Sequence, residues 1–325
     1  MQPINQHRLI MNKKYHIALI GGRGFVGQEV VKLIDNHPYF QLSQIFSTTN
    51  AGQKIKNYKK NKNLEFTELD SNMENINSNI DIVILALPNG QSKKIVSYLD
   101  RNFRDQIIID ISSDHRFDDD WTYRLPEITN VDKLPKKISN PGCYATAMQL
   151  MLAPIKQNII NQVSIMGVSG YSGAGSSPND KNDIERLKGN ILAYSLSNHL
   201  HELEVRKHCY EYLNFTPHVA NFFRGILTTA HIQLNESITQ NSLLDLFEEF
   251  YENKPLIQTN RSIPMITDAV NKHIACIGGF SLDESKTQLR LCCSIDNLLK
   301  GAATQVIQNL NYACQFNETL GIEYE

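Results

Sequence analysis

The chain has 325 residues, with 32 Lys and Arg against 34 Asp and Glu, giving a formal charge of −2. That length suits about two ordinary domains, and the near-neutral balance provides no global field to recruit nucleic acid or an anionic membrane. Hydrophobic residues make up 41%, a globular composition rather than a disordered or fibrous one. Six cysteines are scattered with no C-x-x-C pair, which suits a reducing cytoplasm better than a disulfide framework. No apolar run approaches membrane-spanning length.

Residues 1–14 are polar, lack a signal-peptide core and read as a loose N-terminal arm. Order begins at Tyr15, where His16–Ile20 forms a short apolar strand. Gly21-Gly-Arg-Gly-Phe-Val-Gly27 follows at once, and Gln28–Asn36 continues as a helix with Val26, Val30, Leu33 and Ile34 on one face. In this strand–turn–helix setting Gly21, Gly24 and Gly27 let backbone amides approach a pyrophosphate at the helix N-terminus. The spacing is G-x-x-G-x-x-G. At the head of an alternating strand–helix series it reads as nucleotide binding rather than a plain tight turn.

The second strand, near Leu42–Phe46, ends in Ser47-Thr-Thr-Asn-Ala-Gly52. It lacks the acid that an NAD site usually places there for the ribose 2′-hydroxyl, so the reading leans to NADPH. Lys54, Lys56, Lys59, Lys60 and Lys62 follow, as cations for a 2′-phosphate or as a solvated loop. Ile80–Leu87 is an apolar run fit for a strand covered on both faces; Pro88-Asn-Gly90 stops it and Gln91–Leu99 reads as a helix. Ile107–Ile111 is another buried strand, ending in Ser112-Ser-Asp-His-Arg-Phe117. Ser112, Ser113 and Asp114 either lie near a ligand, as C-terminal strand ends do in open α/β sheets, or serve the turn. A short Lys136–Ser139 segment then delivers the chain to Asn140-Pro-Gly-Cys143.

Cys143 opens a helical run with Ala145, Ala147, Met148, Leu150, Met151 and Leu152 in its apolar stripe. A thiol in a first helical turn faces unsatisfied N–H groups and the positive end of the macrodipole, which favour the nucleophilic thiolate; the alternative is a small buried hydrophobe. Val163–Val168 is strand-like and leads to Ser169-Gly-Tyr-Ser-Gly-Ala-Gly175, either a cradle for an anionic group or a flexible surface loop. His199 and His201 precede a helix over Glu202–Leu213 and read as metal ligands, as acid–base partners of a cysteine, or as incidental. Arg224 is a carboxylate or phosphate clamp or a surface arginine. Ile226–Leu234, Ile274–Phe280 and Gln288–Ile295 read as strands, Ser242–Tyr251 and Thr304–Phe316 as helices. The second half is therefore α+β with a mixed or antiparallel sheet.

Six motifs in order carry a resemblance over about Tyr15–Asn311. They are Gly21–Gly27, Asn140–Thr146, Ser169–Gly175, His199-Leu-His-Glu-Leu-Glu204, Phe215-Thr-Pro-His218 with Arg224-Gly-Ile226, and Asp296-Asn-Leu-Leu-Lys-Gly-Ala-Ala303. On these the chain resembles the N-acetyl-γ-glutamyl-phosphate reductase family. The resemblance implies a Rossmann-type NADP-binding domain over 15–142, with a C-terminal helix, 300–325, packing back onto it. It implies a catalytic, substrate and oligomerisation domain over 143–299, and NADPH-dependent reduction of an acyl phosphate to a semialdehyde through a cysteine thioester. By the same resemblance Cys143 is the nucleophile and His201 the acid–base, with Arg116, Asn140, His199, Glu204 and Arg224 at the substrate. Gly21, Arg23, Gly24, Phe25, Val26, Gly27, Ser47, Pro88, Ser169, Ser172, Gly173 and Asn297 would serve the cofactor, phosphate would be co-product, and a homodimer or homotetramer is implied, with no metal. Three departures stand out: Thr48 where members often carry an arginine, Arg124 where glycine is usual, and Tyr171 where a smaller residue is usual. Three competing readings are a sister acyl-phosphate reductase acting on aspartyl or aminoadipyl phosphate, a nucleotide-sensing module without chemistry, and a metallohydrolase on His199 and His201.

Overall fold

A computed structural model describes residues 13–103 and 105–324; residues 1–12 of the expected arm lie outside the described residues. Two compact units divide the chain. The first runs up to Arg124 and takes in Val131–Asn140 and Val306–Glu323, and the second comprises Leu125–Asn130 and Pro141–Gln305. The sequence expectation was a first domain over 15–142, with helix 300–325 packing back onto it, and a second over 143–299; the contact units add the Leu125–Asn130 excursion to the second unit and return Val306–Glu323 to the first.

In the first unit, strands β1 (Tyr15–Ile20), β2 (Phe40–Phe46), β3 (Phe66–Thr67), β4 (Ile82–Leu85), β5 (Ile107–Asp110), β6 (Thr122–Tyr123) and β7 (Lys137–Ser139) form one sheet in the order β3-β2-β1-β4-β5-β7-β6. Every pairing in it is parallel. All four residues of β4 are buried, the pattern of a strand covered on both faces. Helix Phe25–Asn36 buries Val30, Val31, Leu33 and Ile34, each contributing roughly 1.5–3 kcal/mol of gross transfer free energy.

The end of that helix settles the fate of the lysine run. Lys60 donates through its ammonium to the carbonyls of Ile34 (2.7 Å), His37 and Phe40 (2.8 Å), a cation on the carbonyl end of the macrodipole. Twelve residues at 1.5 Å per residue put it about 18 Å along the helix from the glycine turn, so Lys60 is a C-terminal cap and not a phosphate ligand. Lys54, Lys56, Lys59 and Lys62 are exposed.

The last helix spans Thr304–Ala313, shorter than the 300–325 expected. Gln315 adopts φ +61°, Phe316 N–H donates to Asn311 O (2.8 Å), and Gln315 N–H donates to Tyr312 O (3.0 Å). That bond pair and the left-handed residue make a Schellman stop. Asn311 also accepts from the buried His37 Nε2 (2.9 Å), while His37 Nδ1 accepts from the backbone N–H of Tyr39 and Phe40.

The second unit carries β8 (Ile159–Gly170), β9 (Ile191–Ala193), β10 (Leu213–Ala220), β11 (Ile226–Leu234), β12 (Ile257–Thr259), β13 (Ala275–Leu282) and β14 (Gln288–Ile295), in the order β12-β13-β14-β11-β8-β10-β9. β8 runs parallel to β10 and β12 to β13, and the rest are antiparallel, giving the mixed sheet expected. The helix expected over 202–213 spans Leu200–His208. Cys209 and Tyr210 both direct their N–H groups to Val205 O, closing it, and β10 follows with Leu213, Phe215, Pro217 and Val219 buried. Proline and polar residues in that stretch masked its period-2 pattern. Among the described residues, no helix is long and apolar enough to cross a membrane.

Burial, opposed by the Asn311 hydrogen bond and reinforced by the charges of Lys60 and Lys14, pushes the His37 imidazole down from 6.5 to about 4. The unfolded state therefore takes up the proton first as pH falls. The His37 contribution is complete above pH 6.5 and is lost between there and about pH 4; it amounts to roughly 3 kcal/mol. Denaturant titrations across that window should show a steeper loss of stability for the wild type than for His37→Gln; parallel curves would refute this.

Candidate active site

Pro141-Gly142 turns the chain so that Cys143 becomes the first residue of helix Cys143–Leu152. Gly142 is extended (φ −74°, ψ 154°) and has no side chain to cap the helix. Its N–H instead donates to Glu204 Oε1 at 2.7 Å, from the neighbouring helix Leu200–His208. Tyr144 through Leu152 are all buried, whereas Cys143 is half-exposed. Gly301 lies against it: a Cβ built there would sit 2.8 Å from Cys143 Cβ.

Gly301 belongs to a turn, Leu299–Ala303, whose N–H groups reach back five residues, Gly301 to Asp296 O and Ala303 to Leu298 O, both 2.9 Å. Such π turns concentrate at functional sites. The buried Asp296 carboxylate organises it, accepting from Leu298 N (2.9 Å), Leu299 N (3.1 Å) and Asn271 N (2.8 Å). Arg224 completes that set with Nη2 to Asp296 Oδ1 at 3.0 Å and Nε beside Oδ2 at 2.7 Å. Lys300 is fully buried and pairs with Glu127 at 2.9 Å.

His199 caps the Leu200–His208 helix, its Nδ1 accepting from His201 N–H at 3.1 Å; the proton on its ring is therefore on Nε2. Burial, and secondly the charge of Lys181, lower it to about 4, so His199 is neutral at pH 7. His199 and His201 rings meet at 5.0 Å, and both approach the Tyr144 ring, at 6.3 and 6.1 Å. Tyr144 hydroxyl donates to His218 O (2.6 Å) and also meets the Ser169 hydroxyl. Tyr194 closes the cluster at 5.5 Å from His199; burial, then the charge of Cys143, push its phenol up. Tyr144, Tyr194 and Lys181 were missed from the sequence, which offers no spacing signal for them. Among the described residues no cluster of three or more His, Cys, Asp and Glu could hold a metal.

The loop after β8 is stapled rather than loose. Tyr171 N and Ser172 N donate to Phe222 O and Phe223 O, both 2.9 Å. Asn297 Nδ2 donates to Ser172 Oγ (2.9 Å), while its Oδ1 accepts from Gly225 N (2.7 Å). Only glycine fits at 170, where a Cβ would lie 2.7 Å from the backbone of Phe222, Phe223 and Arg224. Ser169, Ser172 and Asn297 are buried in this arrangement, with Gly173 beside Ser169.

In the first unit Gly21 (φ +91°) would drive a Cβ to 2.2 Å from Ala86 O, and one on Gly27 would reach Gly21 O at 2.8 Å. Helix Phe25–Asn36 begins at Gly24 without a side-chain cap or a first-turn acid, leaving amides for an anionic group. Arg23, Phe25, Val26 and Ser47 are half-buried around it and Pro88 is exposed. Arg116 is buried and donates to Asn140 O (2.9 Å) and Ile111 O (2.7 Å). Asn140 Oδ1 accepts from Asn309 (3.3 Å). Asp114 caps helix Ser92–Asn102 through Gly90 N and Ser92 N, and Ser112 binds the buried Asp110, so that cluster performs turn chemistry.

A glycine-turn nucleotide unit followed by a thiol-bearing mixed-sheet unit defines the class of semialdehyde dehydrogenases. The model of the semialdehyde dehydrogenase NAD-binding domain matches residues 16–135 and that of its dimerisation domain residues 143–297. An N-acetyl-gamma-glutamyl-phosphate reductase of Stenotrophomonas maltophilia is 40% identical over 313 residues, covering 95% of this chain and 98% of its own. The mitochondrial protein ARG5,6 of Candida albicans is 41% identical over 99% of this chain, but the chain spans only 38% of that relative's length. The chain belongs to the N-acetyl-γ-glutamyl-phosphate reductase family. A solved aspartate semialdehyde dehydrogenase II from Vibrio cholerae shares the fold (TM-score 0.77, 18% identity, 94% of this chain and 99% of that one).

Glu204→Ala would strand the Gly142 N–H, a buried donor whose loss of partner costs about 1–3 kcal/mol. Its denaturation midpoint should fall by a matching amount, with Glu204→Gln recovering most of it. A wild-type midpoint for the alanine variant would show the contact to be dispensable.

Proposed function

We propose that this chain reduces N-acetyl-γ-glutamyl phosphate to N-acetylglutamate 5-semialdehyde, with NADPH, as a step of arginine biosynthesis. The observation that carries this reading is Cys143, half-exposed at a helix start and acting electrostatically on Tyr194, whose ring meets His199, which in turn meets His201, in a chain so closely related over its length to named reductases. The solved aspartate enzymes share under a fifth of its residues, which gives the sister reaction no comparable support.

The Cys143 thiolate attacks the acyl carbon; the carbon–oxygen bond to phosphate breaks, phosphate leaves, and a thioester remains on Sγ. NADPH, when bound, supplies the hydride that reduces that thioester. Gly21, Gly24 and Gly27, with the uncapped start of the Phe25–Asn36 helix, would hold its pyrophosphate, and the acid-free Ser47–Asn50 end of β2 favours the 2′-phosphate form. His201 gives a proton to the resulting alkoxide and takes it back as the carbon–sulfur bond breaks, releasing the semialdehyde and the thiolate. His199 is unsuited to that task because it is neutral with Nδ1 already engaged; it holds the turn that presents His201.

The outward face of the second sheet supports a homodimer or homotetramer. Val168 and Leu227 are register partners there, beside the exposed Met166. Six free cysteines favour a reducing compartment such as the cytoplasm.

NADPH formation from N-acetylglutamate semialdehyde should require phosphate. Cys143→Ser should retain NADPH binding and lose nearly all turnover, and His201→Asn should depress kcat by roughly 10²–10⁴, with His199→Asn milder. Phosphate-independent turnover, or an active Cys143→Ser, would overturn the covalent route.

A further inference from the structure

The acyl phosphate of the proposed step carries two anionic groups, a phosphoryl group and an α-carboxylate. Buried or half-buried oxyanions require cationic partners. Arg224 is already paired through two of its nitrogens with Asp296, so a further cation at the ring cluster has a defined task. Lys181 reaches that cluster. Its ammonium stands 4.8 Å from the centre of the Tyr194 ring, and Tyr194 meets His199 at 5.5 Å. His199 in turn contacts His201 and Tyr144, the residue after Cys143.

The loop that carries Lys181 is braced. Lys181 N donates to Asn179 Oδ1 (3.0 Å), and the Asn179 side chain donates to Ala174 O (3.2 Å). Asn182 Nδ2 donates to Gly175 O (2.9 Å) and Ser177 O (2.8 Å). Lys181 is half-buried. Its neighbouring carboxylates are committed elsewhere, Asp180 to Arg186 at 2.8 Å and Asp183 to the N–H groups of Glu185 and Arg186. Among the described residues no carboxylate pairs with its ammonium. The positive charge therefore reaches the ring cluster uncancelled, over the Tyr194 ring that meets His199.

Resting on the reductase reading, we infer that Lys181 binds an oxyanion of the substrate, its α-carboxylate or its phosphoryl group, beside Cys143. Tyr194 orients the ammonium through its ring face, and the neutral His199 leaves the cation free to serve the substrate rather than a charged neighbour.

The test compares the purified full chain with Lys181→Met and Lys181→Arg. Semialdehyde-dependent NADPH formation is measured with semialdehyde and phosphate varied separately. Lys181→Met should raise the KM of one of them about tenfold or more, as loss of a charge-assisted hydrogen bond implies, and Lys181→Arg should recover most of it. The reactant whose KM rises identifies the oxyanion; unchanged KM for both overturns the inference. Independently of turnover, inorganic phosphate or N-acetylglutamate should slow iodoacetamide alkylation of Cys143 in the wild type and not in Lys181→Met, while the unprotected alkylation rate stays the same in both. Equal protection also overturns it. A wild type that shows this protection without any reductase activity would sink the reductase reading and leave the Lys181 site standing.

Discussion

The bond from Gly142 N–H to Glu204 is the constraint on which the second unit's chemistry depends. A helix start normally leaves its first amides to water or to a capping side chain, and glycine has none to give. Placing the acceptor on the Leu200–His208 helix ties the turn before Cys143 to the helix that presents His201. Glu204 follows His201 by three residues, so both project from one face of that helix. A single carboxylate thereby ties Cys143 and His201, the proposed nucleophile and proton donor, into one register.

The same economy governs the two histidines. Neighbouring imidazoles of similar basicity would share the proton and blur the acid–base role. Here His199 accepts a backbone hydrogen bond and is pushed to about 4 by burial and by Lys181, which removes it from the physiological range. Aromatic walls from Tyr144, Tyr194 and Phe215 surround it and lower the local dielectric, strengthening whatever charges remain.

How far the sequence reveals this depends on the range of the interactions. The glycine turn, the thiol at a helix start and the histidine pair are local patterns, and each is where its pattern implies. The buried parallel strands were equally legible, because continuous apolar runs report burial on both faces. Lys60 shows the limit: a cation in a lysine-rich loop resembles a phosphate ligand until the fold carries it to the far end of the first helix. Glu204, assigned by resemblance to substrate, also holds the backbone N–H of Gly142, a bond no sequence pattern shows, and Lys181 is one lysine among many in sequence. Its place in the site exists only once two braced loops are folded together. The early helix stop has the same origin, since Gln315 in a left-handed turn carries none of the glycine signal that usually marks one.

Behind the thiol, a second network serves the same end from the opposite side of the chain. Asp296 gathers Arg224, Asn271 and two turn amides, and Lys300 pairs with Glu127 in full burial. Buried pairs of this kind are weak evidence of stability, because desolvation offsets much of their attraction. Their value lies in specifying one arrangement, here a π turn, a conformation that ordinary helical bonding would otherwise relax. With the turn held, Gly301 can approach Cys143 closer than any residue with a Cβ could. The thiol is thus fixed through the amide before it on one side and through glycine contact on the other.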